Sequence, residues 1–226
     1  ANLFTLAYVK LDILMLAALQ GDEAVGVYAA AYRLIGSLTI LPTAILGSLF
    51  PLISQYARTA PEALPRIFQK SLNLIVMLAL PLAVGGTLLS REIIALVYGE
   101  RFAESSGVFR ILSWAVAFSF LSYLLTSALN AMGRQRIYLG LTAAMTVLNV
   151  GLNWMWIPRY GFMGAAVATL ITECTLMLIG LRLLGGHLKD IELSPIMKYA
   201  LSAGVMGVAV MFTPIGVFGT IPLAAV

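Results

Sequence analysis

The 226-residue chain is 61% hydrophobic and 11% charged, and its formal net charge is +4. Soluble domains carry about 25% charged residues, so this composition excludes a water-soluble domain and makes lipid the main solvent of the chain. Its 14 Lys and Arg residues form no patch for nucleic acid, and its single cysteine excludes an intrachain disulfide. We therefore expect an all-α, polytopic transmembrane helix bundle.

Apolar segments follow one another along the chain, which has room for six or seven helices of about 20 residues. The segment 24–54 is too long for a perpendicular span, so it should tilt, kink near Pro42 or protrude from the bilayer. Pro81 should kink the next span, and the amphipathic segment 91–102 should lie at the membrane interface. The predicted spans of this single domain, 1–226, are 3–19, 24–54, 71–90, 107–130, 138–157, 162–184 and 196–213.

The connections between these spans alternate in charge, and this alternation predicts the topology. The first set carries eight Lys and Arg residues and comprises 55–70, 131–137 and 182–198. The second set carries four and comprises 20–23, 91–110 and 158–161. Cytoplasmic loops are enriched in cations, so the first set is predicted to be cytoplasmic and the first span to run from inside to outside.

Four acidic or basic residues lie deep inside the predicted spans, away from the span ends: Lys10, Asp12, Arg33 and Glu173. A charge at the bilayer centre costs about 2.5 kcal/mol or more, so such residues usually face a bundle interior or a water-filled cavity. Asp12 lies about 12 Å below the first turn and Arg33 about 15 Å below it on the returning helix, which predicts a pair between them. Either the pair only neutralises two buried charges, or Arg33 lines a cavity for an anionic group such as phosphate.

Lys10 and Glu173 have two interpretations each. Lys10 is two residues from Asp12 and points to nearly the opposite side of the helix, so it reaches another cavity wall or extends toward the cytoplasm. Glu173 follows Thr169 by one turn, so it is either a buried, hydrogen-bonded carboxylate or a proton or cation site.

Two predicted spans carry a stripe of uncharged polar side chains on one face. Such groups either form bonds between helices or line a passage for sugar hydroxyls. The stripes are Ser119, Ser122, Thr126 and Asn130 on the fourth span, and Thr142, Thr146, Asn149 and Asn153 on the fifth.

Several common catalytic and cofactor patterns do not occur in the sequence. It has no GxxxxGK[ST] phosphate-binding loop, and one histidine with one cysteine cannot form a usual metal site. We therefore expect no cofactor and no enzyme activity, and a transporter would have to use an ion gradient or the substrate gradient.

Five segments resemble polysaccharide-type flippases of the multidrug/oligosaccharidyl-lipid/polysaccharide exporter superfamily. The most specific element is IPRYGFMGAAVAT, in which a turn from proline to glycine precedes a helix start rich in small residues. The similar segments are 12–35, 49–57, 93–112, 129–136 and 148–171.

This resemblance implies that the chain is the second lobe of a two-lobed transporter of the bacterial inner membrane and that the first lobe is missing. The implied substrate is an undecaprenyl-diphosphate-linked oligosaccharide, moved from the inner to the outer leaflet for cell-surface polysaccharide synthesis. Arg33, with Lys10 as the second candidate, would meet the diphosphate, and the polar stripes would contact the sugars.

Two other classes of protein remain open. A multidrug/cation antiporter of the same superfamily would use Asp12 and Glu173 as titrating acids. A membrane glycosyltransferase or polymerase would need a large outer loop with catalytic acids, and no loop of that size is present.

Overall fold

The computed structural model describes residues 2–185, 192 and 194–212; for residues 2–10, 58 and 61 only the backbone is described. The described chain is helical and contains no strand, which confirms the predicted all-α, polytopic fold. Its helices are α1 (Asn2–Gln20), α2 (Asp22–Leu38), α3 (Ile40–Thr59), α4 (Leu64–Leu88), α5 (Ser90–Tyr98), α6 (Ser105–Ala131), α7 (Gln135–Leu184) and α8 (Ser194–Phe212).

The long predicted span 24–54 consists of two helices, α2 and α3, which meet at Thr39. The break lies three residues before Pro42, whose ring nitrogen cannot donate to the carbonyl of Leu38. By contrast, α4 continues through Pro81 to Leu88. The segment Asp22–Ala57 is nevertheless long enough, and apolar enough over an 18-residue stretch, to cross a membrane.

Helix α7 is a hairpin of two arms, residues 135–160 and 162–184, which meet at Gly161. Gly161 has φ 56° and ψ −138°, a conformation that side-chain-bearing residues rarely adopt. Asn153 and Thr169 lie 16 residues apart, about 24 Å along a straight helix, yet both donate hydrogen bonds to the same carboxylate. The two arms therefore fold back side by side, as the IPRYGFMGAAVAT motif predicts for a turn at this position.

Helix α6 lies at the centre of the bundle and contacts α2, α3, α4, α5 and α7. The outer surface is apolar: Leu14, Val147 and Leu201 are all more than 60% exposed. Polar groups such as Asn149 are buried instead. This distribution is the reverse of that in a soluble protein, and it fits lipid as the surrounding solvent.

The predicted interfacial segment 91–102 forms the short helix α5 and one 3₁₀ turn, Glu100–Phe102. Ile94 is buried against the bundle, whereas Leu96 and Val97 are exposed. A helix of nine residues is too short to cross a bilayer. Its location at the membrane surface remains a prediction.

Candidate functional site

Asp12, on α1, is the most deeply buried charged side chain that the structure describes, with 4% of its surface exposed. Its Oδ2 accepts hydrogen bonds from the hydroxyls of Thr169 (2.7 Å) and Tyr28 (3.0 Å), and its Oδ1 accepts one from Asn153 Nδ2 (2.6 Å). The same Nδ2 donates to Asn149 Oδ1 at 3.0 Å. Helices α1, α2 and both arms of α7 therefore converge on one carboxylate, which is surrounded by neutral donors.

The amide oxygen of Asn153 is buried and has no hydrogen-bond partner among the described residues. Because Asn153 turns its NH2 group toward Asp12, only the carboxylate presents anionic oxygen atoms in this network. A buried carboxylate with neutral donors can take up a proton or a singly charged cation. The described residues contain no cluster of three or more His, Cys, Asp or Glu residues that could hold a metal ion.

A cavity of about 140 Å³ opens beside Asp12, between α2, α6 and the two arms of α7. We refer to it as the Asp12 cavity. It has room for several water molecules but not for an oligosaccharide. Besides Asp12, its polar lining comprises Thr39, Ser119, Ser122, Thr126, Thr142, Thr169 and Glu173, together with the tyrosines Tyr32, Tyr123 and Tyr138.

The two predicted polar stripes are only partly brought together. Ser119, Ser122 and Thr126 of α6 face Thr142 of α7 across the cavity, and Asn149 and Asn153 belong to the Asp12 hydrogen-bond network. Thr126 and Thr142 each donate to a backbone carbonyl of their own helix. Asn130 and Thr146 do not line the cavity. The stripes thus border a small polar-lined cavity, and its volume of about 140 Å³ is too small for an oligosaccharide.

The predicted Asp12–Arg33 pair is not formed. Arg33 is exposed, does not line the Asp12 cavity and makes no ion pair among the side chains that the structure describes. The depths of the two residues match, but their directions do not. Tyr28 turns toward Asp12, and Arg33 follows five residues later, about 140° around the helix.

The two remaining candidates are Glu173 and Lys10, and the structure describes the side chain of Glu173 only. Glu173 is half-buried and lines the Asp12 cavity, so it faces protein as expected from its position one turn after Thr169. The side chain of Lys10 lies outside the described residues.

Sequence reasoning missed the tyrosines of this site. The rings of Tyr28 and Tyr32 stack with their centroids 5.7 Å apart, and Tyr28 binds the carboxylate directly. The two tyrosines are four residues apart on the helix that also carries Arg33. This spacing is the signal from which the inward-facing side of α2 could have been predicted. A tyrosine pair one turn apart prefers one face, and the arginine then lies on another.

The fold is that of a membrane flippase. The structure matches the solved structure of the lipid II flippase MurJ in an inward closed conformation with a TM-score of 0.75 and 14% sequence identity, over 93% of this chain and 46% of that one. This TM-score shows that the two chains share a fold, and at 14% sequence identity the match is evidence for the fold alone.

Sequence comparison then shows the family. Residues 15–221 match the family model described as lipid II flippase MurJ, and the chain belongs to this family. It is 31% identical to the probable flippase AglR of Haloferax volcanii, over 94% of this chain and 45% of the relative. It is 27% identical to a putative O-antigen transporter of Shigella flexneri, over 74% of this chain and 40% of the relative. The flippase resemblance found in the sequence is therefore confirmed.

The chain spans about half the length of the curated relatives that it matches. These relatives come from an archaeon and a bacterium, so membership of the family indicates a multi-pass membrane protein but not which kind of cell membrane holds it.

Proposed function

We propose that this chain is the second lobe of a flippase that moves an undecaprenyl-diphosphate-linked oligosaccharide from the inner to the outer leaflet of a bacterial cytoplasmic membrane. The family description, lipid II flippase, and the name of one relative, putative O-antigen transporter, support a lipid-linked or polysaccharide substrate, and the chain's length relative to its relatives supports a preceding lobe in the same protein. The structural observation that carries the proposal is the exposed side chain of Arg33.

Arg33 lies in the apolar helix α2, on a face that the bundle does not cover. A guanidinium at this depth is too costly in contact with lipid alone, so it needs a hydrated space beside it. A hollow between this lobe and a first lobe would supply that space. There the guanidinium can bind a diphosphate with two parallel hydrogen bonds, while the sugars pass through the hollow and the lipid tail stays in the bilayer.

Transport by the full-length protein carrying Arg33→Ala or Arg33→Lys tests this role. Loss of a charged hydrogen-bonding partner costs about 1.5–3 kcal/mol, so Arg33→Ala should slow flipping roughly 10- to 150-fold. Arg33→Lys should retain part of the activity, because it keeps the charge but not the planar fork. The matched control is Arg182→Ala, since Arg182 is also exposed but lies near the end of α7. Unchanged flipping in both Arg33 variants would remove this residue from the mechanism.

The Asp12 site would couple transport to an ion. A buried carboxylate with neutral donors can take up a proton or a monovalent cation, and the adjoining polar-lined cavity offers a route to it past Glu173. Uptake of the ion would change the charge that holds α1, α2 and the α7 hairpin together, and with it the arrangement of the lobe.

The same carboxylate would also serve a multidrug/cation antiporter, the second candidate. That antiporter needs no arginine on the outer face of α2. The two functions are therefore separated by substrate: drug efflux that depends on Asp12 but not on Arg33 would favour the antiporter.

A further inference from the structure

A second hollow, of about 430 Å³, lies between α3 and α4 beside the turn that connects them. We refer to it as the α3–α4 groove. It arises because α4 packs mainly against α6 and α8, leaving α3 in contact with it over a short stretch only. Its α3 wall includes Leu49, Leu52 and Tyr56, and its α4 wall includes Arg66, Lys70 and Leu74.

The α4 wall of this groove carries two unneutralised cations. Arg66 and Lys70 are one helical turn apart, so their side chains extend along the same face. Both are exposed, and neither makes an ion pair with any side chain that the structure describes. No acidic residue lines the groove within the part of the chain that the structure describes. The site therefore combines a positive end with an apolar wall.

We infer that the α3–α4 groove binds an anionic phospholipid of the cytoplasmic leaflet. The phosphate would lie at Arg66 and Lys70, and an acyl chain would lie along Leu52 and Leu74. Both cations are in the loop region that the charge distribution predicts to be cytoplasmic, the side on which basic pockets between helices bind anionic head groups. Free phosphate would satisfy the cations but would leave the apolar wall uncovered.

Cations near helix ends also arise from topology alone, so the groove itself has to be tested. Arg182 and Lys198 provide the comparison. They are also exposed and also lie in a predicted cytoplasmic region, but neither lines the groove.

The experiment measures binding of spin-labelled phosphatidylglycerol to the full-length protein in phosphatidylcholine vesicles. The fraction of motionally restricted spin label reports how much lipid is bound. Each cation near the surface contributes about 1 kcal/mol, so R66Q/K70Q should lower the affinity for phosphatidylglycerol roughly thirtyfold. The control R182Q/K198Q should change it less than threefold. Leu52→Trp keeps both cations but fills the groove, and it should also displace the labelled lipid.

Three results would overturn the inference. The first is equal binding by the two double variants, which would reduce the effect to general surface charge. The second is equal restriction of phosphatidylglycerol and phosphatidylcholine by the unaltered protein, as expected if another helix fills the groove. The third is full competition by inorganic phosphate at the concentration of the labelled lipid, which would indicate an anion site without a lipid chain. The assay follows lipid binding, so its outcome does not depend on whether the protein transports the proposed substrate.

Discussion

The Asp12 cavity and the α3–α4 groove are built by neighbouring helices of one bundle, but their chemistry is opposite. Among the side chains that the structure describes, the cavity is lined by two carboxylates, Asp12 and Glu173, and by no Lys or Arg. The groove is lined by two cations and three leucines, and by no acid within the same described part of the chain. The acid at Asp12 is enclosed by donors from distant parts of the chain, whereas the cations are left at the end of a hairpin. In this bundle, a buried charge requires a network of hydrogen-bond donors, whereas a charge near the bilayer surface requires only water or lipid head groups.

The largest effect should be on the stability of the α7 hairpin beside the Asp12 cavity, and it should come from Gly164→Ala. A Cβ atom at Gly164 would lie 2.6 Å from the carbonyl oxygen of Trp156, so the two arms of α7 could no longer approach as closely. Overpacking against backbone costs about 1–3 kcal/mol, and we expect a loss near the upper end in the free energy of unfolding. Thermal unfolding of the purified protein measures it.

Gly151→Ala is the matched control for this substitution. An added Cβ at Gly151 meets nothing within 4 Å, so alanine there should be neutral or stabilise the helix by up to about 1 kcal/mol. Lipid binding in the α3–α4 groove should survive Gly164→Ala, since α3 and α4 pack mainly against α6 and α8 and have at most minor contacts with α7. Equal stability of the two variants would mean that close approach of the arms is not required.

The next effect, on transport rather than stability, should come from Asp12→Asn in the full-length protein. The amide fills the same space but has no charge to exchange for a proton or cation. We expect flipping to lose its response to an imposed sodium or proton gradient and to slow about tenfold or more. Asp22→Asn, at an exposed acid next to α1, should change neither property. If flipping by the Asp12→Asn variant still responds to the gradient, ion coupling must take place at another site.

The smallest effect should come from Tyr28→Phe, which removes one of the three donors to Asp12 but keeps the stacked ring. Loss of the 3.0 Å bond should lower the free energy of unfolding by about 1–2 kcal/mol. Tyr160→Phe is the control, because Tyr160 is 64% exposed. Its hydroxyl should matter by less than about 0.5 kcal/mol. Matching thermal midpoints for the two variants would show that the tyrosine hydroxyl does not stabilise the Asp12 network.

The helical fold was predictable because it depends on segment length and composition, which a sequence displays directly. The turn at Gly161 was predictable for a similar reason, since proline followed by glycine interrupts an apolar run. The division of the segment 24–54 at Thr39 was predictable only to within a few residues of Pro42. Each of these features is local.

The site was harder to predict because it depends on the rotation of each helix. Asp12 and Arg33 have compatible depths, but the packing of Tyr28 and Tyr32 turns α2 so that Arg33 faces away. Likewise, Asn149 and Asn153 continue a stripe that begins at Thr142, yet the fold of the hairpin brings only these two to Asp12. Neither rotation nor hairpin geometry can be read from the spacing of polar residues on one helix.

The Thr169–Asp12 bond has a consequence for how the protein is made, because 157 positions separate its partners in the chain. Ribosomes add about 5–20 residues per second, so the second arm of α7 emerges roughly 8–30 s after α1. Asn153, 141 positions after Asp12, emerges shortly before Thr169, so for most of that interval the acid on α1 has no partner from α7. Until the late helices arrive, the first one must therefore keep its carboxylate in contact with water or lipid head groups.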